Sequence, residues 1–104
     1  MDLSIIIPTF NRSQSLIRTL NSFLNQVDMD NRYEIIVSDN NSTDKTKESV
    51  MEFISKNKGS KIHYHFEPEQ GVHFARNSAA KVCKGRILYF TDDDMEADPN
   101  LLKE

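Results

Sequence analysis

With 104 residues, 13 Lys and Arg against 16 Asp and Glu, and a formal charge of -3, the chain has room for one small domain and one core, burying about two-thirds of its unfolded surface. Its basic residues are scattered rather than clustered, which argues against nucleic-acid binding, and its apolar runs are too short to span a bilayer or form a signal core. A cytoplasmic protein is expected, and the single cysteine, Cys83, excludes an internal disulfide and a cysteine zinc cluster.

Residues 3 to 7 (Leu3-Ser4-Ile5-Ile6-Ile7) are short, β-branched and strand-like. Ser13 then starts a helix on which Leu16, Ile17, Leu20, Phe23 and Leu24 recur at helical spacing. Residues 33 to 37 form the second strand, and Thr43 opens a helix marked more loosely by Val50, Met51, Phe53 and Ile54. Residues 62 to 66 follow as a third strand. His63 and His65 share one face of it; two such histidines can bind a metal, but with no third ligand in view a polar strand face is the expectation. Val72, Ala75, Ala79, Val82 and Cys83 mark the third helix, so Cys83 reads as a buried structural thiol, and Gly85 stands where a C-terminal cap belongs. Residues 87 to 90 complete the strands, and Asp98 before Pro99 starts a further helix. Strict alternation of this kind predicts an α/β fold: Rossmann-like βαβ units, a parallel sheet and right-handed crossovers in one domain over residues 1–104.

In open parallel sheets ligands bind beyond the C-terminal ends of the strands. Here those ends run into Pro8-Thr9-Phe10-Asn11, Ser38-Asp39-Asn40-Asn41-Ser42 and Thr91-Asp92-Asp93-Asp94, so Asp39, Asp92 and Asp94 are expected to converge on one crevice. Three adjacent carboxylates repel one another unless a cation sits among them. Alone, the triplet reads equally as a solvated turn. After a strand, its hard oxygens suit Mg²⁺ or Mn²⁺ bridging to a diphosphate. Ser42 to Asp44 have ordinary turn chemistry, whereas Asp39 could accept a base N–H or a ribose hydroxyl, with Phe10 as an apolar face for the base. Arg76, beside Asn77 and about one turn after Gly71, is either an exposed helix arginine or a partner for a diphosphate oxygen. His73 lies near the same crevice and is given no role.

Four segments together carry a resemblance. Ser4 to Arg12 (SIIIPTFNR), Glu34 to Asp44 (EIIVSDNNSTD), Gly71 to Asn77 (GVHFARN) and Gly85 to Asp94 (GRILYFTDDD) resemble the family 2 inverting glycosyltransferases, in order and at similar spacing over nearly the whole chain. The resemblance implies the nucleotide-binding portion of the type A glycosyltransferase fold. By position, Pro8, Thr9, Phe10 and Asn11 resemble the loop around base and ribose, Asp39 the residue that reads the base, and Arg76 and Asn77 further nucleotide contacts. Asp92 to Asp94 resemble the aspartate-x-aspartate motif. Asp94 then matches the metal ligand, with Asp92 beside it, and Asp92 or Asp93 serves the ribose. Ser38 stands where the family is often acidic, and Thr91 and Met95 flank the triplet where other residues are commoner.

The implied activity is transfer of a sugar, with inversion, from a nucleotide-diphosphate sugar, with a UDP-sugar favoured, to a glycan or lipid-linked acceptor, aided by Mn or Mg. Peripheral association of the full-length protein with the cytoplasmic membrane face would be compatible with it. The family's catalytic base and acceptor-binding half follow the aspartate motif. Glu96, Asp98 and Glu104 are the acidic residues after Asp94, and none suits the base, so the chain is expected to be the donor-binding piece of a longer enzyme, inactive alone and with apolar surface exposed. A nucleotidyltransferase is the rival enzyme; it would want a Gly-rich, basic loop after the first strand. A receiver-like signalling module is the non-enzymatic rival, and would want acidic residues there. Pro8-Thr9-Phe10-Asn11 is neither.

Overall fold

The computed structural model describes residues 2–24, 32–99 and 101. Its elements are β1 (Leu3–Thr9), α1 (Ser13–Leu24), β2 (Tyr33–Asp39), α2 (Thr46–Lys56), β3 (Ile62–Phe66), α3 (Val72–Val82) and β4 (Ile87–Phe90). The strands form one parallel sheet in the order β3-β2-β1-β4, the α/β architecture that the alternating pattern predicts. Among the described residues, no helix is long and apolar enough to cross a membrane.

Central position explains the sequence of β1 and β2. Strands covered on both faces read as continuous apolar runs rather than alternating ones, and Ile5, Ile6, Ile7, Ile35, Ile36 and Val37 are all buried. On one face Ile5, Ile7, Ile35, Val37 and Ile62 pack with Leu16, Leu20 and Phe23 of α1 and with Val50 and Phe53 of α2. On the other, Ile6 and Ile36 meet Ala79 of α3. Only Ala75 and Ala79 of α3 are buried, small side chains that let the helix lie close to the sheet, where the Ser38 hydroxyl donates to the Ala75 carbonyl at 2.8 Å.

Several expectations shift. β1 and β2 run two residues further than predicted, because their pairing continues through Pro8–Ser38 and Thr9–Asp39. α2 starts at Thr46 rather than Thr43, and Asp44 accepts the Thr46 amide at 2.9 Å in the turn that leads into it. Met51, Val72 and Val82 are exposed rather than core. Cys83 is half-buried in extended backbone just past α3, its thiol donating to the Ala80 carbonyl, and not buried on a helix face. His63 lies 3.5 Å from Glu34 and His65 Nε2 is 2.9 Å from the Ser78 hydroxyl, polar partners for a polar strand face. The amide of Leu101 donates to the Asp98 carbonyl in a turn, while the rest of the predicted final helix, with Glu104, lies outside the described residues.

Gly85 does not cap α3. A Cβ there would stand 2.5 Å from the amide nitrogen and hydroxyl of Ser4, so only glycine allows the chain to pass over β1 at that point. Its amide donates to Ser4 Oγ at 2.7 Å, and Ser4 Oγ donates to Glu34 Oε2 at 2.6 Å. Glu34 is fully buried in the central strand and also accepts the Lys84 amide at 2.6 Å. Burial pushes its carboxyl up, but the hydrogen bonds from Ser4 and Lys84, with His63 nearby, outweigh burial and hold it below its ordinary value. The network ties the α3–β4 connection to the middle of the sheet.

Candidate functional site

The C-terminal ends of β1 and β4, with the residue after β2, open on one cleft of about 420 Å³. Pro8, Thr9, Phe10 and Arg12 line it from the end of β1, Asn40 from the end of β2, Val72 from the start of α3, and Asp92, Asp93 and Asp94 from the end of β4. Phe10 and Val72 are its exposed apolar walls.

The ladder of β4 extends past Phe90 through the Thr91 amide to the Ile6 carbonyl at 3.1 Å, and burial alternates from Thr91 to Asp94 as the chain enters a turn at Asp93 and Asp94. Asp92 and Asp94 are exposed, whereas Asp93 turns inward and is 7% exposed. Asp93 Oδ2 accepts the Thr9 hydroxyl at 2.8 Å, and its other oxygen lies 3.6 Å from Arg12 Nη1. Burial raises the Asp93 carboxyl above its ordinary value with help from neighbouring Asp94, against the opposing pull of Thr9 and Arg12. Beyond the triplet the chain is pinned to α1: Thr19 Oγ1 donates to the Met95 carbonyl at 2.7 Å, the Ala97 amide donates to Ser22 Oγ at 2.8 Å, and the Thr91 hydroxyl contacts the Met95 sulfur. Asp92 and Asp94 therefore project from a segment fixed at both ends.

The second strand end is arranged differently from the expectation of three converging carboxylates. Asp39 is 2% exposed and does not line the cleft. Its Oδ1 accepts the Ser42 amide at 3.0 Å and its Oδ2 the Tyr64 hydroxyl at 2.5 Å; burial, then Asp39, pushes that phenol well up. Each carboxylate oxygen can accept a second hydrogen bond, so a base N–H remains within Asp39's chemistry. Asn40 reaches the cleft instead, held by donation to the Glu69 carbonyl and by the Gly71 amide on its Oδ1 at 2.9 Å. Gly71, at φ 137, makes the turn that begins α3 next to Val72.

Asn11 also faces away from the cleft. It adopts φ 51, and its side-chain oxygen accepts the amides of Thr43 at 2.8 Å and Asp44 at 3.1 Å, clamping the β1 loop to the β2 loop. Arg76 is half-buried and Asn77 exposed on α3, and neither lines the cleft; Arg76 Nε is buried with no hydrogen-bond partner. Of the nucleotide and metal candidates, the fold thus gathers Pro8, Thr9, Phe10, Asp92, Asp93 and Asp94 on the cleft, and Asn11, Asp39, Arg76 and Asn77 do not line it. Arg12, Asn40 and Val72 also line the cleft, beyond the residues to which the sequence motifs assign a site role. Their signal was position: Arg12 and Asn40 each follow a strand end closely.

The donor set fits a Mg²⁺ or Mn²⁺ ion. Asp92 and Asp94 offer hard, accessible oxygens in a strongly acidic stretch, and Asp94 already holds a cationic group, Arg12 Nη1, at 3.2 Å. Among the described residues, no group of three or more His, Cys, Asp or Glu side chains is placed to hold a metal ion; Asp92 and Asp94 would supply one or two carboxylates, the remaining positions of such an ion going to water and phosphate oxygens.

Comparison with known proteins adds an independent line. Residues 4–104 match the family model described as glycosyl transferase family 2. The chain is 34% identical over 103 residues to validoxylamine A glucosyltransferase of Streptomyces hygroscopicus subsp. limoneus, covering 97% of this chain and 22% of that protein. Among solved structures, Staphylococcus aureus TarS 1-349 in complex with UDP superposes with a TM-score of 0.88 at 28% identity, over 99% of this chain and 30% of that one. The mannosyltransferase PcManGT of Pyrobaculum calidifontis in complex with GDP-Man and Mn²⁺ gives 0.86 at 26% identity, over 90% and 28%. The chain spans between about a fifth and a third of the length of these proteins.

Proposed function

The chain belongs to glycosyl transferase family 2, and on that premise we propose that it is the donor-binding portion of a metal-dependent glycosyltransferase. The complete enzyme would move a sugar from a nucleotide-diphosphate sugar, with a UDP-sugar favoured, to a glycan or lipid-linked acceptor with inversion at the anomeric carbon. The observation that carries this reading is the alternation at the end of β4, which turns Asp92 and Asp94 out onto the cleft and buries Asp93 against Thr9. The likeness to a UDP complex and to a GDP-Man and Mn²⁺ complex supports it.

Each residue then has a task within reach of its chemistry. Phe10 and Val72 give the cleft apolar walls against which a base or ribose can pack. Asp39, Pro8 and Thr9 shape the base and ribose end, and Arg76 and Asn77 stand on α3 as outer contacts for the donor. Asp92 and Asp94 would hold Mn²⁺ or Mg²⁺, which when bound supplies positive charge against the leaving diphosphate. Asp93, committed to Thr9 and Arg12, holds the segment in place so that its two neighbours face outward.

No carboxylate in the cleft is assigned as general base. A base must sit within hydrogen-bonding reach of the acceptor hydroxyl, on the far side of the anomeric carbon from the diphosphate. Asp92 to Asp94 stand on the diphosphate side in this reading, so the base and the acceptor site belong to the larger enzyme, in the cytoplasm or peripherally on its membrane face.

The test is a thermal-shift panel of UDP, GDP, CDP and ADP, each with Mn²⁺, Mg²⁺ or chelator. Stabilisation by uridine diphosphate that depends on metal is the expected result. No stabilisation by any nucleotide under any metal condition would defeat the reading.

A further inference from the structure

Among the described residues that line the cleft, Arg12 carries the only positive charge. Its backbone is fixed: it follows the clamped Asn11, and its carbonyl accepts the Leu16 amide at 2.9 Å to begin α1. Its side chain is a different matter. It is 57% exposed, and a single nitrogen, Nη1, makes both acidic contacts, at 3.2 Å to Asp94 Oδ2 and 3.6 Å to Asp93 Oδ1. Asn11 and Asn40, the structural clamps on either side, are each held by several directed hydrogen bonds; Arg12 is tethered at one tip.

We propose that Arg12 is a resident counter-cation that a divalent metal ion replaces: its guanidinium neutralises Asp93 and Asp94 in the metal-free protein, yields Asp94 to the ion, and then pairs with the donor's diphosphate in the same cleft. The inference rests on the donor-site reading above and deepens it. Three consecutive carboxylates need compensation when no metal is bound, and Arg12 supplies one charge of it. An exposed ion pair changes an equilibrium by roughly fivefold at most, so a dication meeting the triplet can dislodge it. The freed guanidinium stays at the cleft wall, and its planar fork of donors matches phosphate oxygens better than it matches one edge of a carboxylate. Arg12 thereby opposes metal binding when alone and favours nucleotide binding once metal is present.

The two signs separate this role from a merely structural one. Mn²⁺ affinity would be measured without nucleotide by electron paramagnetic resonance of the free ion, and UDP affinity at saturating Mn²⁺ by calorimetry, for the wild type, Arg12→Gln and Arg12→Lys. Arg12→Gln is expected to bind Mn²⁺ about two- to fivefold more tightly at low ionic strength, with the gain fading as salt is raised. It should bind UDP roughly tenfold more weakly. Arg12→Lys, which keeps the charge and loses the fork, should resemble wild type toward Mn²⁺ and fall between the two toward UDP. Unchanged or weaker Mn²⁺ binding by Arg12→Gln, in a wild-type background that binds UDP in a metal-dependent way, would overturn the Arg12 proposal and leave the donor site standing. Wild-type protein that binds UDP equally with Mn²⁺ and with chelator would overturn the metal-dependent donor reading itself.

Discussion

Thr9 and Asp93, 84 positions apart, are joined by one buried hydrogen bond of 2.8 Å from the threonine hydroxyl to the carboxylate. The bond welds the end of β1 to the end of β4, the two limbs that make most of the cleft. Thr9→Val keeps the shape and removes the donor, so Asp93 is left desolvated and short of a partner. A loss of about 1–3 kcal/mol in stability is expected, read by urea unfolding. Thr9→Ser should recover most of it. Equal destabilisation by the serine variant would mean that the methyl group, not the hydroxyl, matters at this position.

Asp94 is the proposed metal ligand with the greatest freedom to act, being exposed and paired with Arg12 among the described residues of the cleft. Asp94→Asn should therefore leave the fold intact and abolish most of the difference between UDP binding in Mn²⁺ and in chelator. Calorimetry with both additions checks it; a variant that keeps the full metal effect would move the ligand role to Asp92.

Asp39→Ala removes an acceptor for the Ser42 amide and the Tyr64 hydroxyl and, on the donor reading proposed above, for a base N–H. UDP affinity should drop by about 1–3 kcal/mol and the melting temperature should fall too. Tyr64→Phe isolates the structural part, because it takes away the hydroxyl and leaves the carboxylate. Its UDP affinity is expected to stay within about twofold of wild type. Equal losses from the two variants would assign Asp39 to the turn and not to the base.

Much of the fold was legible because burial on both faces writes continuous apolar runs at Ile5–Ile7 and Ile35–Val37, and because strand-end polarity marks the edge on which the cleft opens. The inward turn of Asp93 and the occupation of Asp39 Oδ2 were not legible, since each depends on a partner distant in sequence, Thr9 in one case and Tyr64 in the other, whereas the Ser42 amide on Asp39 Oδ1 is local turn chemistry. Gly85 reads locally as a helix cap, yet the restriction on it comes from Ser4, 81 positions away. Val72 and Val82 show the limit of periodicity, which reports a helix but not which of its apolar residues meets a neighbour. Arg12 has no acidic neighbour in sequence to mark it, because its partners Asp93 and Asp94 sit near the opposite end of the chain.

Glu34 supplies the pH-dependent expectation. Its carboxyl titrates below the ordinary value of 4.5 in the folded protein, held there by Ser4 and Lys84 against the cost of burial. A carboxyl lowered by folding adds stability above its unfolded value and loses it as pH falls through the folded one. Wild type should therefore lose stability on acidification from just above 4.5 downward. Glu34→Gln should be weaker by about 2 kcal/mol at neutral pH, with a flatter acid limb. Parallel acid limbs for the two proteins, followed by circular dichroism, would exclude Glu34 as a source of the slope.

The strand order has a kinetic consequence. β1 pairs with β2 across one intervening helix, but its pairing with β4 joins the first strand to the last, over nearly the whole described chain. Closing a long loop carries an entropy cost that must be met before its contacts repay it, so distant pairings are expected to form late. Until β4 docks, Asp92 to Asp94 are not beside Thr9 and Arg12, and the cleft lacks its acidic wall. Competence to capture Mn²⁺ should thus appear with the slowest refolding event and not with the early gain of helix. Stopped-flow refolding, followed in parallel by far-ultraviolet dichroism and by the Mn²⁺ resonance signal, would resolve the order; metal capture that keeps pace with the first dichroic phase would contradict it.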